Sequence, residues 1–316
     1  MHTDARRVGA LSVLLLVLLA CVAATPALTR ESSSVAPALA VDSSSEPPAT
    51  ASPDLDTAPA PPAALVGDAD LEDALRAAIG DRAGHVSVVV RRFADARGAA
   101  VEPGRVFYAA SLFKLALLYE AERRIGEGTL SRDDRLYIET EDASQDLGTL
   151  GDLPLAADGS LSVAEALEAM VVMSDNATAV AFMRLLGNAE VDATLAWLGL
   201  TQTSLNTEEL PTTAADMALL MEALATGRGL TPDAASEVRS LLLQQKTRTG
   251  IPAGLPAGAS AGNKTGTWPG STHDVAFVDA PGGLYVIAVL TDGDWDWEPI
   301  ARVSAAAWGV LAGTRE

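Results

Sequence analysis

The apolar positions of the chain fall into runs whose spacing changes from segment to segment. A continuous run, VGALSVLLLVLLACVAA, occupies residues 8–24, and from there to residue 66 large apolar side chains almost vanish. At 68–80, DADLEDALRAAIG repeats apolar residues at helical spacing and ends on Gly, which predicts a helix. HVSVVVRRF (85–93) predicts a strand, and helical spacing then dominates from Ser111 to about Gln245. Short alternating or β-branched runs return at GASAGNKTGT, HDVAFVDA and LYVIAVLTD, with Gly282 and Gly283 forming a hairpin turn before the last of them. PIARVSAAAWGVL predicts a closing helix. The expected fold is α/β (α+β): an antiparallel sheet of about five strands built from both termini, flanked by N- and C-terminal helices, with an inserted all-helical region.

The first apolar run is an address. Arg6 and Arg7 precede it as a charged n-region precedes an h-region, so residues 1–21 are expected to be an export signal. Cys21 closes the run as LLAC, which resembles the lipobox of bacterial lipoproteins and makes Cys21 the expected lipidation site. Eight of the 17 prolines lie between Pro26 and Pro62, among Ser, Ala and Thr. Residues 22–66 therefore cannot bury enough surface to offset their ordering entropy and are expected to be a disordered linker. Residues 67–316 are then the folded domain, exported to the outer side of the cytoplasmic membrane or secreted, with membrane contact only through the N-terminal anchor.

Composition narrows the chemistry. Aromatics are 4% of the 316 residues against 48% apolar, so the core is built mainly from Ala, Leu and Val. A net charge of -20 argues against nucleic acid and against an anionic membrane surface. One cysteine excludes an intrachain disulfide. With His2, His85 and His273 as the only histidines, a Cys/His metal site is poorly supplied, and no metal or cofactor is expected. DGDWDWE resembles the start of a calcium loop, but Trp297 and Val303 stand where that loop needs Gly and Glu.

FYAASLFKLALLY (107–119) is among the most apolar segments after the signal, yet it carries Ser111 and Lys114. Three positions apart, they share a helix face. At a helix start the backbone NH groups and dipole favour negative charge, such as a developing alkoxide or oxyanion. A lysine in an apolar setting loses proton affinity and can take the serine proton, which an arginine cannot. The alternative is a lysine that snorkels to the surface along its own stem. The lysine census weighs toward a role specific to the amine: 19 of the 22 basic residues are arginine, and lysine is kept only at 114, 246 and 264. Lys246, in QQKTRTG, reads as ordinary loop charge.

Lys264 opens KTGT at the end of a predicted strand. An edge strand there offers backbone NH and C=O groups to an extended substrate, and Lys264 with the Thr265 hydroxyl can hold a carboxylate. Gly266 keeps the edge bare for close approach. A phosphate loop is excluded, because Asn263 stands where it needs Gly. Between the two lysines, Ser162 and Glu165 form a capping box, and Ser174, Asp175 and Asn176 occupy a helix–helix junction where ordinary caps also occur.

S-x-x-K, S-D-N and K-T-G each occur once, in that order, on the element types they require. They are the motif set of the penicillin-recognising serine hydrolases, and residues 68–313 resemble the class A beta-lactamases and their relatives. The resemblance implies that Ser111 is the nucleophile opening a beta-lactam or attacking an acyl-D-Ala-D-Ala-like amide, and that Lys114 is its base, directly or through water. It implies that Ser174 relays a proton to the leaving nitrogen, and that Asn176 binds the acylamide and orients Lys114. Asp175 is then structural, Lys264 and Thr265 bind the substrate carboxylate, and the NH groups of Ser111 and Thr267 form the oxyanion hole. A monomer acting on a small substrate is the expected form.

Two departures from the family pattern stand out. Class A enzymes carry E-x-x-L-N on a long omega loop whose Glu activates the deacylating water. Here the matching loop is short; with Leu210 on the motif leucine, Thr207 holds the glutamate position and Pro211 the asparagine position. Glu208 and Glu209 are the nearby acids expected to substitute. His273 lies near the place of an arginine that the family uses at the carboxylate site. The resemblance therefore implies a class A-type serine hydrolase of beta-lactam amides, with a D,D-peptidase or other cell-wall amidohydrolase, and a penicillin-binding sensor lipoprotein without turnover, as alternatives.

Overall fold

The computed structural model describes residues 63–293 and 295–312. The expected export signal, Cys21 and the linker as far as residue 62 lie outside the described residues.

Strand β1 (Val66–Gly67) precedes helix α1 (Ala69–Ile79), strands β2 (Val86–Arg92) and β3 (Arg97–Val101), and the short β4 (Val106–Tyr108). A 3₁₀ turn (Ala110–Phe113) leads into α2 (Lys114–Gly126). The inserted region continues through β5 (Arg135–Tyr137), α3 (Thr140–Ala143), β6 (Ser160–Ser162), α4 (Val163–Glu168) and a π-helical turn (Ala169–Met173). Then come α5 (Asn176–Leu186), α6 (Asn188–Leu198), β7 (Pro211–Thr213), α7 (Ala214–Thr226) and α8 (Pro232–Leu243). The chain returns to the sheet with β8 (Ser260–Trp268), β9 (Ser271–Asp279) and β10 (Tyr285–Thr291), and α9 (Glu298–Leu311) follows.

The main sheet has six strands in the order β1-β3-β2-β10-β9-β8, one more than expected. The extra strand is β1, in which Val66 and Gly67 pair with Arg97 and Gly98 in parallel. Val66 falls within the expected linker, because two residues carry no periodicity to read. All other pairings in this sheet are antiparallel.

Strict alternation along the strands divides the core in two. Val86, Val88 and Val90 of β2, with Tyr285, Ile287 and Val289 of β10, pack against Leu71, Leu75 and Ile79 of α1 and Ile300, Val303 and Ala307 of α9. Val89, Val286, Ala288 and Leu290 point the other way, into the cluster built on α2, α5 and α7. Leu71, Leu75 and Ile79 recur every four residues, are almost fully buried, and contribute about 1.5–3 kcal/mol each. Asp68 starts their helix by accepting from the Leu71 NH at 3.3 Å.

Several acids are buried rather than solvated. Glu120 and Glu122 of α2 are 0% exposed. Glu120 accepts from Arg123 and Arg124 at 2.6–2.9 Å, and Glu122 accepts both fork nitrogens of Arg132 at 2.9 and 2.6 Å. Asp216 of α7 accepts from the NH groups of Gln202 and Thr203 at 2.8 Å, which ties down the start of the short loop before β7. That loop lies beside the Ser111 turn: β4 pairs with β7, and the Ala109 NH donates to Leu210 O at 2.8 Å.

Candidate active site

Ser111 stands half-buried in the 3₁₀ turn, just ahead of the regular helix that the spacing predicts for it. In a 3₁₀ turn, side chains three apart eclipse one another, so Ser111 and Lys114 still share a face. Ala110, just before the serine, has φ +46°, a left-handed conformation that a side chain opposes. Such strain persists where the surroundings over-determine the backbone. Here the Ala109–Leu210 bond holds one side of the turn and strand β8 the other. A Cβ on Gly266 would sit 2.9 Å from Ala109 O and 3.3 Å from Leu112 N, so only glycine lets β8 seat against this turn. The expected role of Gly266 is thereby corrected: what approaches it is the serine turn of the protein itself.

Lys114 is 0% exposed. Its amine donates to Ser174 O at 2.6 Å, Asn176 Oδ1 at 2.6 Å and Ser174 Oγ at 3.3 Å. Burial holds its pKa well below that of an ordinary lysine; the Lys264 ammonium adds to the depression and the Asp175 carboxylate opposes it. Lys264, also 0% exposed, donates to Ser174 Oγ at 2.9 Å and to Thr265 O at 2.7 Å. Burial pushes it down to about 7, with Asp274 acting in the opposite direction. Two amines from distant parts of the chain thus meet on one hydroxyl.

Ser174 ends the π-helical turn in the left-handed region (φ 61°, ψ 34°), which turns its hydroxyl toward both lysines. Asp175 caps α5, accepting from Thr178 N at 2.6 Å and Thr178 Oγ1 at 2.7 Å, while Thr149 donates to its other oxygen at 2.5 Å. It is a structural residue of the junction, as the sequence implied. Asn176 opens α5 and aims its carbonyl at Lys114.

Strand β8 is the sheet edge. In an antiparallel pair, alternate residues turn both backbone groups toward the partner or away from it. Arg248 donates to Ala261 O from outside at 3.0 Å, which fixes the parity. Asn263, Thr265 and Thr267 therefore also face outward. The Thr267 NH consequently lies along the free edge, while the Thr265 side chain takes the face shared by Asn263 and its own cross-strand partner Asp274. Tyr108 and Trp268, 6.1 Å apart in a tilted pair, stand at the end of this edge.

Three expected site residues are not part of this cluster. His273 is 0% exposed; its Nε2 lies 2.9 Å from Tyr108 O and its Nδ1 accepts from Thr291 N at 3.1 Å. Both ring nitrogens serve the backbone, so it has none left for a substrate carboxylate, and burial lowers its pKa to about 4. Glu208 and Glu209 are exposed and contribute nothing to the hydrogen-bond set of Lys114. Leu210, with φ +38°, turns the chain between them and the serine turn.

Other residues of the site carry no motif. Asp274 is fully buried behind the edge strand, accepting from Asn263 Nδ2 at 2.9 Å and Ile251 N at 2.8 Å, and burial raises it to about 7. An acid leading directly into the apolar run VAFV is its one signal. Gln245, 2% exposed, lies in a stretch whose pattern suggests ordinary loop charge.

The mixed α/β fold, a mostly antiparallel sheet with an inserted helical region, is that of the beta-lactamases and transpeptidases. A model of the beta-lactamase enzyme family matches residues 70–311, and the chain belongs to that family. Among solved structures it is similar to PBP-A, at 24% identity over 78% of this chain and 97% of that one, with a TM-score of 0.71. It is equally similar to a mutant of PBP-A in an acyl-enzyme complex with penicillin G, at 25% identity over 79% and 97%, TM-score 0.71. An ancestral class A beta-lactamase matches at 28% identity over 75% and 98%, TM-score 0.66. No curated protein sequence matches the chain.

Proposed function

We propose that the protein is a serine hydrolase that takes the acyl group of a beta-lactam or an acyl-D-Ala-D-Ala-like amide onto Ser111 and releases it slowly. The observation that carries this reading is the Ser174 hydroxyl held by Lys114 at 3.3 Å and Lys264 at 2.9 Å. A substrate lies along the outer edge of β8, its carboxylate on Lys264 and Thr265 and its carbonyl oxygen between the NH groups of Ser111 and Thr267. Lys114, short of proton affinity, accepts the Ser111 proton as Oγ attacks the carbonyl carbon. The amide C–N bond breaks, an ester forms, and Ser174 hands its proton to the leaving nitrogen while regaining one from Lys114. Asn176 holds the Lys114 amine in place for both transfers.

Slow release is supported by the short loop before β7. Glu208 and Glu209 are exposed and stand outside the hydrogen-bond set of Lys114, so neither is poised to activate a deacylating water. That favours a D,D-peptidase or other cell-wall amidohydrolase. Rapid beta-lactam hydrolysis is the second reading, favoured by the family match. The covalent step itself is in keeping with the acyl-enzyme of the PBP-A mutant. We place the enzyme on the outer side of the cytoplasmic membrane, a proposal supported by the signal-like residues 1–21 and Cys21.

The test is to compare nitrocefin turnover with the lifetime of a fluorescent penicillin adduct on the purified domain. Label persisting for hours with negligible turnover is expected. Loss within seconds to minutes, with matching turnover, would replace this reading by the beta-lactamase one.

A further inference from the structure

The π-helical turn Ala169–Met173 ends in left-handed Ser174, and the last carbonyls of such a turn lack partners within it. Two of them are met by a single segment of another part of the chain. The Gln245 side-chain amide donates to Val171 O at 2.7 Å, and the Lys246 NH donates to Val172 O at 3.1 Å. The next two residues reach in the other direction. Thr247 O accepts from Asn263 Nδ2 at 3.2 Å, and Arg248 Nη1 donates to Ala261 O at 3.0 Å. Ala261 and Asn263 belong to β8, and Asn263 immediately precedes Lys264. Gln245 links the two halves itself, because its Oε1 accepts from Thr247 N at 2.9 Å.

We propose that residues 245–248 form a positioning clamp, with Gln245 at its centre, that sets the separation of Ser174 from the two lysines. The proposal rests on the reading of Ser111 as the acylated serine. One end of the clamp is bonded to the turn that delivers Ser174, the other to the strand that delivers Lys264. Neither element alone fixes the gap between them. A left-handed serine held against its own steric preference relaxes when its neighbours let go. The Lys114 amine would follow, since Ser174 O and Oγ are two of its three acceptors. The charged groups acting on that amine are Lys264 from β8 and Asp175 from the cap of α5. Loosening the turn admits water to the amine, which restores proton affinity to Lys114.

Gln245→Met keeps the shape and removes both hydrogen-bonding functions. Gln245→Glu keeps the acceptor for Thr247 and removes the donor to Val171 O. Arg248→Ala releases the β8 end, and Gln244→Ala, at the exposed neighbouring position, is the control. Two readouts apply: the rate constant of acylation by a fluorescent penicillin across pH, and the ¹³C NMR titration of the lysine side chains, of which the chain has three. Gln245→Met and Gln245→Glu are expected to slow acylation about 10- to 100-fold with little change in substrate affinity. Both should move the acid limb and the Lys114 resonance to higher pH. Arg248→Ala should weaken substrate affinity more than it slows acylation. Gln244→Ala should behave as wild type.

Wild-type acylation and an unmoved Lys114 titration in folded Gln245→Met would overturn the clamp. Should that variant fail to fold, the same comparison is decided on Gln245→Glu. If the wild-type protein takes no label, the reading of Ser111 has failed, and the Lys114 titration still decides the clamp.

Discussion

Lys264 donates to the Ser174 hydroxyl across 2.9 Å, although the two residues are 90 positions apart in the chain. That bond joins the sheet edge to the helical insertion at the point where a leaving group would need a proton. Ser174→Ala removes the hydroxyl while keeping the carbonyl that accepts from Lys114. Acylation should slow by about 100- to 10,000-fold, the range of a positioned proton donor, with the unfolding midpoint close to wild type. Stopped-flow acylation and thermal melts check both halves.

Lys114 should resist replacement even by another cation. An arginine stays charged and cannot accept the Ser111 proton. Lys114→Arg and Lys114→Met should therefore both lose at least about 100-fold in acylation rate. Parity between Lys114→Arg and wild type would show that only the positive charge matters. Single-turnover kinetics on the folded variants decide this.

The pH profile follows from the two lysines. The reactive form has Lys114 neutral and Lys264 charged. Lys264 titrates at about 7, so it loses its charge as pH rises through that value, and with it the hold on a substrate carboxylate. Lys114 lies well below the ordinary lysine range and must give up its proton before it can act as the base. kcat/KM, or the second-order acylation constant, should be bell-shaped with an alkaline limb near 7. Substrates lacking the carboxylate should lose that limb.

His273 predicts a stability effect separate from the chemistry. Its folded pKa is about 4, below the 6.5 of a free imidazole. Between those values the unfolded chain binds a proton that the folded chain refuses, so the stability contributed is complete above pH 6.5 and is lost as pH falls to 4. The loss is about 3 kcal/mol for this residue. Asp274, raised to about 7, works in the opposite sense, but it is common to wild type and His273→Gln. The difference in unfolding free energy between the two proteins should therefore shift by that amount across the window, measured by urea titration.

What the sequence makes legible is whatever leaves a local mark. The sheet assembled from both termini follows from strand patterning, and the two buried lysines stand out through the rarity of lysine beside arginine. Ser174 and Asn176 become legible through the order of three motifs. The clamp does not, because Gln245 works through a side-chain amide bonded to backbone 74 positions away and has no spacing to recognise. Glu120 and Glu122 escape recognition for a related reason: their burial depends on Arg123, Arg124 and Arg132 closing over them, and charge alone suggests a wet surface. His273 is misplaced by sequence reasoning since strand parity fixes only the face a side chain takes, and that face is the one packed against Tyr108 and Phe107.

The most direct test is the site of covalent capture. Incubated with benzylpenicillin, digested and sequenced by mass spectrometry, the wild-type domain should carry one penicilloyl group, on the peptide spanning Ala109–Lys114 and at Ser111. Ser111→Ala should carry none. An unmodified wild-type domain, or an adduct on any other side chain, would contradict the account.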